Sequence, residues 1–515
     1  NVAVLLDKIK GEPSLVQQHA EALALFEQIN QDLDHRARYL RYIKGSIQAH
    51  YYETNFTGLG ELEVVKKTRA SARAALGALA TEGTDGSWTF PRSLPEALTP
   101  RERTGVEDDR YALLLILGEA EAQPLDDEDP RAQAARGLRI LDAAARLRPA
   151  PSQAFHLRRA SCLDRAGDAK AAAVERSRAE GLKPSTPFDH FLSGQERYKQ
   201  RDWPAAMLEF DAVLQQQPGD FWAKCLLAIC QLNATPSRPG EARAGLTSCI
   251  ERLPDHPWLY LLRGFASGQM ATMSPRPEAV ALFEDAEADY DRALARMNPD
   301  TDDELRYILF VNRGVLHHQR QQWAAAVTDL EAAIKINPSK AFPYNALSDV
   351  YARQNRLADA LTWLTKAIRH QADGADLYLK RARLHVRRHE IDPALIDLGD
   401  AIRLAESGSL TRAAAHLERG RLLHGRRHYD EALADYDTAL TIAPTDAETH
   451  RLRADALLKL GRDDEVIGSC DAYLAGGRPS ADLHHLRGLA RADLDDQPGA
   501  IEDFTQSLAL RPNTP

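Results

Sequence analysis

Three kinds of side chain in this sequence could do chemistry: cysteines, histidines and arginine–acid pairs. Cys225 and Cys230 stand five residues apart, which on a helix turns the second side chain by roughly 140° and is a poor geometry for a shared ligand. All five cysteines, Cys162, Cys225, Cys230, Cys249 and Cys470, are scattered without a disulfide spacing. They read as small buried residues of a reducing compartment. Seventeen histidines invite a metal hypothesis, but a metal needs convergent ligands with suitable spacing. No such cluster, and no Ser/His/Asp or Cys/His arrangement, can be argued from the sequence. The expectation is no catalytic residue, no metal and no cofactor.

The arginine–acid pairs carry more information because their spacing recurs. Arg159, Arg313, Arg381, Arg419 and Arg487 are followed sixteen residues later by Glu175, Asp329, Asp397, Asp435 and Asp503, and Arg263 precedes Asp289 at a longer distance. Arg453 is the exception, with Ser469 in the acid's place. The two charges travel together, as expected of a bridge between two neighbouring helices rather than of an anion site.

The elements that position these pairs form a repeat. Taking the glycine of each Arg-Gly pair as an origin, that position and its equivalents, Gly314, Ser348, Ala382, Gly420, Ala454 and Gly488, follow at intervals of 34, 34, 38, 34 and 34. Gly264, Ala228, Gly194, Ala160 and Gly118 extend the series towards the N-terminus to eleven repeats, with insertions in those of Gly264 and Gly118. Each repeat contains two amphipathic helical stretches around a short polar turn. Small residues at the origin and twelve residues on let the helices approach, and a larger residue at sixteen fills the groove beside them. Pro204, Pro393 and Pro498 fall in the first turn of the second helix, where the missing N–H is harmless.

Period, helix pair, small-residue positions and terminal proline together resemble the tetratricopeptide repeat over about Asp109 to Pro512, with "FLSGQERYKQRDWPAAMLEFDAVLQQQP" as the best single match. The resemblance implies an all-α, right-handed superhelical solenoid of about eleven helix–turn–helix units with an N-terminal helical cap. The expected domains are 1–108 (cap and connector), 109–300 (repeats one to five) and 301–515 (repeats six to eleven). Segments such as "AFHLRRASCLDRAGD", "FDHFLSGQERYKQRDW" and "HPWLYLLRGFAS" are also similar to the repeat-bearing half of large bacterial serine/threonine protein kinases. That similarity implies a kinase domain before Asn1; the chain itself holds no Gly-rich phosphate loop, His-Arg-Asp or Asp-Phe-Gly motif.

In the first 108 residues, helices are expected over 13–53 and 61–80, packed on repeat one as a cap, and 81–108 reads as a Pro/Gly/Thr-rich connector. Ala271 to Glu278, "ATMSPRPE", reads as an exposed loop. A formal charge of −10 over 515 residues argues against nucleic acid as the main partner. No run of about 18 apolar residues suggests a membrane span. No cleavable signal is read, and the chain begins at Asn1 without a methionine, so a processed chain is expected; its expected place is cytoplasmic, attached through its missing N-terminus to a membrane-anchored kinase if the resemblance extends that far.

In this family the concave face is lined from the first helix of each repeat, at six and three residues before the origin and one and four after it. In repeats three to five these positions hold Phe188, Phe191, Trp222, Ile229, Trp258, Leu261 and Phe265. In repeats seven to eleven they hold Arg383, Arg421 and Arg451 with Asp349, Asp376, His424, Asp455 and His485. One half of the groove is apolar and aromatic and the other charged, as expected of a non-enzymatic scaffold for a peptide or helix of another protein. The basic set that clamps a carboxylate tail in chaperone-binding relatives is absent, so a chaperone-tail receptor is not expected. Histidines four residues before the origin, His156, His190, His416, His450 and His484, occupy a position where the family prefers a flat ring, and packing between repeats is their expected role. In the last helix Ile501, Phe504, Leu508 and Leu510 are the large apolar residues that a following repeat would in part cover, so either the natural chain continues beyond Pro515 or this end packs against another copy, and self-association through the C-terminal repeat is the alternative function.

Overall fold

The computed structural model describes residues 13–54, 61–84, 86–91, 94, 98–125, 128–298 and 303–511. Two compact units, 1–309 and 310–515, divide the chain. The expected boundary at 300 and 301 and the terminal Pro512 lie outside the described residues.

In the N-terminal unit, α1 (Pro13–Glu53) lies against α2 (Glu61–Leu79). They meet at Gly45, where a Cβ would come within 2.9 Å of the Ala75 backbone nitrogen. A short antiparallel ladder, β1 (Thr81–Glu82) and β2 (Trp88–Thr89), follows. The connector is shorter than expected, because α3 (Pro100–Glu121) already begins at Pro100. Thr99 and Glu102 form a reciprocal capping box there, with proline in the first turn, so the sequence "TPRE" is a complete helix start.

Helix pairs then succeed one another: α3 with α4 (Pro130–Leu147), α5 (Gln153–Ala166) with α6 (Ala169–Glu180), α7 (Pro187–Lys199) with α8 (Trp203–Gln216), α9 (Phe221–Asn233) with α10 (Pro239–Arg252), and α11 (Pro257–Met273) with α12 (Arg276–Ala295). The expected loop at Ala271–Glu278 is corrected: only Ser274 and Pro275 separate α11 from α12, and the extra residues lengthen both helices. The segment is exposed as expected at Thr272, Met273 and from Pro275 to Glu278, and Ala271 is buried.

The C-terminal unit holds six pairs whose first helices are α13 (Asp303–Gln319, which crosses the division), α15 (Ala341–Arg353), α17 (Ala375–Arg387), α19 (Leu410–Gly425), α21 (Ala447–Lys459) and α23 (Ala481–Asp493). Their partners are α14 (Trp323–Ile336), α16 (Leu357–His370), α18 (Ile391–Leu404), α20 (Tyr429–Ile442), α22 (Asp463–Leu474) and α24 (Gln497–Leu510). The fold is all-α, with eleven such pairs among the described residues.

Two local devices set the pair geometry. At the origin, a Cβ on Gly194, Gly420 or Gly488 would stand 2.6–2.7 Å from the ring of Phe210, Tyr436 or Phe504, so the aromatic sixteen residues on lies where a side chain would be. Seven residues after the origin the chain turns through left-handed backbone, at Arg201, Gln321, Asn355, His389, Arg427 and Asp495 as well as at Gly167 and Gly461. The next N–H then bonds a carbonyl five residues back, as Asp202 to Arg197 and His428 to Leu423 do, which is the six-to-one bond of a helix C-cap. Six non-glycine residues accept an unfavourable φ because that bond closes the helix.

Between the helices sits a buried carboxylate. Asp435 takes Arg419 Nη2 at 2.6 Å and Nε at 2.8 Å, and His416 Nδ1 lies 2.8 Å away. Asp503 is met in the same way by Arg487 and His484, and also by Arg491 Nη1 at 2.9 Å. Asp289, Asp329 and Asp397 are gripped two-pronged by Arg263, Arg313 and Arg381. Burial pushes Asp435 and Asp503 up, but the arginine and histidine hydrogen bonds outweigh it and hold both below the usual carboxylate range.

Two features of this arrangement were not read from the sequence. The histidines do more than pack: His156 and His190 lie 2.6 and 2.7 Å from Glu175 and Glu209, as His416 and His484 do from their aspartates. Where Ser469 replaces the acid, His450 turns to the Pro444 carbonyl at 3.0 Å. The arginines also reach backwards to the second helix of the preceding repeat: Arg159 to Asp142, Arg263 to Thr247, Arg381 to Thr365, Arg453 to Asp437 and Arg487 to Asp471. Arg159 favours this backward bond at 2.6 Å and stays 3.8 Å from Glu175.

Arg419 has no backward acceptor, since Arg403 stands sixteen residues before it, so its bond to Asp435 is isolated for measurement. Arg419→Ala leaves a carboxylate that is 3% exposed with histidine alone, and a loss of about 3 kcal/mol is expected. In urea unfolding the double variant with Asp435→Ala is expected to lose no more than the worse single; strictly additive losses would contradict a direct bridge.

Candidate interaction faces

The first helices of the repeats carry both expected faces. In the N-terminal unit Phe191, Ile229, Trp258 and Leu261 are buried, and Phe188, Trp222 and Phe265 are half-buried. Much of this cover comes from inside the chain. The C-terminal end of α1 lies across the first helices of repeats two to five, reaching well past the expected cap on repeat one. The His50 ring stands 5.3 Å from Trp222 and 6.2 Å from Phe191. Tyr51 meets the Trp258 ring edge-on at 5.1 Å. Phe188 instead packs 6.0 Å from Tyr111 with the Arg148 guanidinium 5.0 Å from its ring.

A charge cluster pins the end of α1 in place. Glu53 accepts from Arg158 Nη2 at 2.9 Å and from Gln195 Nε2 at 3.0 Å, and lies 3.1 Å from Lys199 Nζ. Arg158 and Lys199 are shared with Glu196 and Glu119, at 2.8 and 2.6 Å. The Tyr198 hydroxyl donates to the Thr54 carbonyl at 2.8 Å. Burial raises Glu53, but the Lys199 and Arg158 charges outweigh it and keep the carboxyl below its usual range. One turn earlier, His50 Nε2 lies 3.0 Å from an Asp109 carboxylate oxygen, and the Tyr42 hydroxyl donates to the other at 2.7 Å. Burial lowers His50, yet the bond to Asp109 wins and raises it.

Sequence reading missed this cluster because its members fall on four different helices, α1, α3, α5 and α7. The available signal was a set of charged residues, Glu119, Arg158, Glu196 and Lys199, on first helices whose neighbouring face positions are apolar.

The C-terminal unit presents a different surface. Lys380 bonds Asp349 at 2.7 Å, Arg383 lies 3.5 Å from Glu418, and Arg421 and Arg451 share Glu448 at 2.7 and 2.9 Å. His424 Nε2 is 3.0 Å from Asp455. Thr411 donates to Asp376 at 2.5 Å, and His485 packs 5.7 Å from the Phe504 ring. The hydrogen bond from Arg451, against some burial and helped by Arg421, pulls Glu448 down to about 2. A row of alternating charges thus links successive first helices, and Arg383 and Arg421 keep 54% and 45% of their side chains exposed.

In α24, Ile501, Leu508 and Leu510 are exposed, while Phe504 is half-buried against Gly488 of its own repeat. Among the described residues there is no group of three or more potential metal ligands, and no helix is long and apolar enough to cross a membrane.

The sequence signature described as Tetratricopeptide repeat matches residues 413–446, the first and second helices of one pair. Hsc70-interacting protein 1 of Drosophila melanogaster is 30% identical over 119 residues, 23% of this chain and 31% of that protein. Human Tetratricopeptide repeat protein 34 is 25% identical over 328 residues, 60% of this chain and 53% of that protein. The chain thus spans about a third of the length of the first relative and about half that of the second. Among solved structures, YrrB, described as a TPR protein with an unusual peptide-binding site, aligns with a TM-score of 0.32 and 21% identity over 36% of this chain and 93% of its own. A human IFIT1 dimer with PPP-AAAA aligns with a TM-score of 0.44 and 13% identity over 80% and 95%. The tetratricopeptide repeat signature thus falls on the pair α19–α20, and the pairs around it repeat the same helix–turn–helix plan.

Glu53→Ala removes the carboxylate that Arg158, Gln195 and Lys199 share. Amide hydrogen exchange is expected to rise several-fold over residues 47–54 and to stay unchanged over 413–446. Unchanged exchange at both places would mean that the charge cluster does not hold α1 on the face.

Proposed function

We propose that this tetratricopeptide-type array is a non-enzymatic protein-interaction scaffold that uses the charged row of residues 310–515 to bind an extended, mixed-charge segment of a partner. The observation carrying this reading is the contrast between the two faces. The aromatic face is largely filled by α1 of the same chain, whereas Arg383, Arg421 and Arg451 stand on an accessible row paired only with neighbouring side chains. Exposed pairs of this kind are each worth under about 1 kcal/mol, so a partner's charges can exchange with them at little cost. The buried arginine–aspartate pairs between the helices cannot be exchanged in this way.

The similarity to kinase-borne repeat arrays supports a place as the regulatory arm of a larger kinase. The relative named for its interaction with Hsc70 supports a protein ligand, though the carboxylate-clamp set is absent from the expected positions. Exposed Ile501, Leu508 and Leu510 favour self-association as the second reading.

Selection from a displayed peptide library tests the proposal, with the triple variant Arg383→Glu, Arg421→Glu, Arg451→Glu as the control surface. Peptides bearing alternating charges are expected, with binding at least about tenfold weaker to the triple variant at unchanged helix content. Selected peptides that bind both proteins equally would overturn it, and so would tighter capture of a short RNA than of any peptide.

A further inference from the structure

Two thiols of repeat four are in contact. Cys225 lies in the middle of α9 and Cys249 in the last turn of α10, with their sulfurs 3.3 Å apart. Both residues are almost wholly enclosed, at 0% and 1% exposure. Their separation of 24 residues hides the pairing in the sequence; the two antiparallel helices bring them together. Lys224 and Arg252 sit beside the pair in sequence, and Lys224 Nζ reaches across to Ser248 Oγ at 3.0 Å.

The other three cysteines are the internal contrast. Cys162 approaches only a carbonyl, that of Gly118 at 3.8 Å, and burial pushes Cys162, Cys230 and Cys470 up to about 12. Cys249 moves the other way: the hydrogen bond from Cys225 lowers it, burial opposes, and the Lys224 and Arg252 charges lower it further. The Cys249 thiol is thus drawn downward, and 3.3 Å away lies a second thiol that can resolve whatever forms on its sulfur.

We propose that Cys225 and Cys249 form a reversible dithiol–disulfide site oxidised by a small hydroperoxide. The Cys249 thiolate attacks the terminal peroxide oxygen; an S–O bond forms, the O–O bond breaks, and the departing oxyanion takes a proton to leave as alcohol, or as water from hydrogen peroxide. The Cys225 sulfur then attacks the Cys249 sulfenic sulfur. The S–S bond forms, the S–O bond breaks, and the hydroxyl leaves as water with the Cys225 proton. Two thiols and one hydroperoxide thus give one disulfide, one alcohol and one water, and an external dithiol reverses the result. The sulfurs must close from 3.3 Å to about 2.05 Å, a shift of the order of 1 Å shared between two side chains. Cys249 lies in a terminal helical turn, the part of a helix that opens most readily to a small oxidant. The disulfide ties together the two helices of the repeat that places Trp222 against His50.

The test is intact-mass measurement and peptide mapping of the reduced, full-length native chain after limiting hydrogen peroxide. A loss of two hydrogens, about 2 Da, is expected, with the peptides holding residues 225 and 249 cross-linked and dithiothreitol restoring the mass. In Cys225→Ser, Cys249 is expected to gain oxygen instead of forming a cross-link. In Cys249→Ser, Cys225 is expected to stay reduced. Circular dichroism of both variants establishes that they are folded. A native chain in which both thiols remain alkylatable after peroxide, a cross-link to any other cysteine, or a 225–249 cross-link that appears only in denaturant would each overturn the proposal.

Discussion

A carboxylate placed between two helices has to be met by donors from both sides, and the repeats of Gly264, Gly314, Ala382, Gly420 and Gly488 depend on how this is done. Asp435 and Asp503 are 3% and 0% exposed, and an unpaired charge at such a site would cost several kcal/mol. The sequence supplies an arginine one residue before the origin and, in several repeats, a histidine three residues before that arginine. The helical spacing puts both on the side of the first helix that faces the acid. The guanidinium has donors to spare, so Arg263, Arg381 and Arg487 also reach the second helix of the preceding repeat. One side chain thereby closes its own helix pair and sets the spacing to the pair before it.

That division of labour leaves the outer side of each first helix free to vary, and the two units vary it differently. In the N-terminal unit the free positions are aromatic and aliphatic, and the end of α1 lies on them, locked by Glu53 against Arg158 and Lys199. In the C-terminal unit they are charged and pair with one another in exposed bonds that are cheap to break. The first arrangement behaves as core and the second as surface, although both rest on the same helix–turn–helix plan.

The repeat was legible because its constraints are local. Origin glycines, the residue opposite them and the arginine–acid spacing all fall within one pair of helices, so arithmetic on the sequence finds them. Constraints that span pairs were not legible. The backward bond of Arg487 to Asp471 and the approach of His50 to Trp222 depend on how successive pairs are placed in space, and the contact of Cys225 with Cys249, although it lies inside one pair, follows no spacing that recurs in the other repeats. The misread loop at 271–278 had a different cause: proline residues there start a helix at Arg276 rather than interrupt one, which is proline's ordinary place in a first turn. The left-handed turn residues carried little signal, since arginine, glutamine and histidine occupy a position that glycine would have advertised.

Arg487→Lys is the most direct measurement of the three-helix fastening, followed by urea unfolding beside the wild type and Arg487→Ala. Lysine keeps the charge but loses the planar fork that bonds Asp503 through two nitrogens and Asp471 through a third. The account predicts that the lysine variant loses more than half of the stability lost by the alanine variant. A lysine variant as stable as the wild type would show that a positive charge alone suffices, and would contradict it.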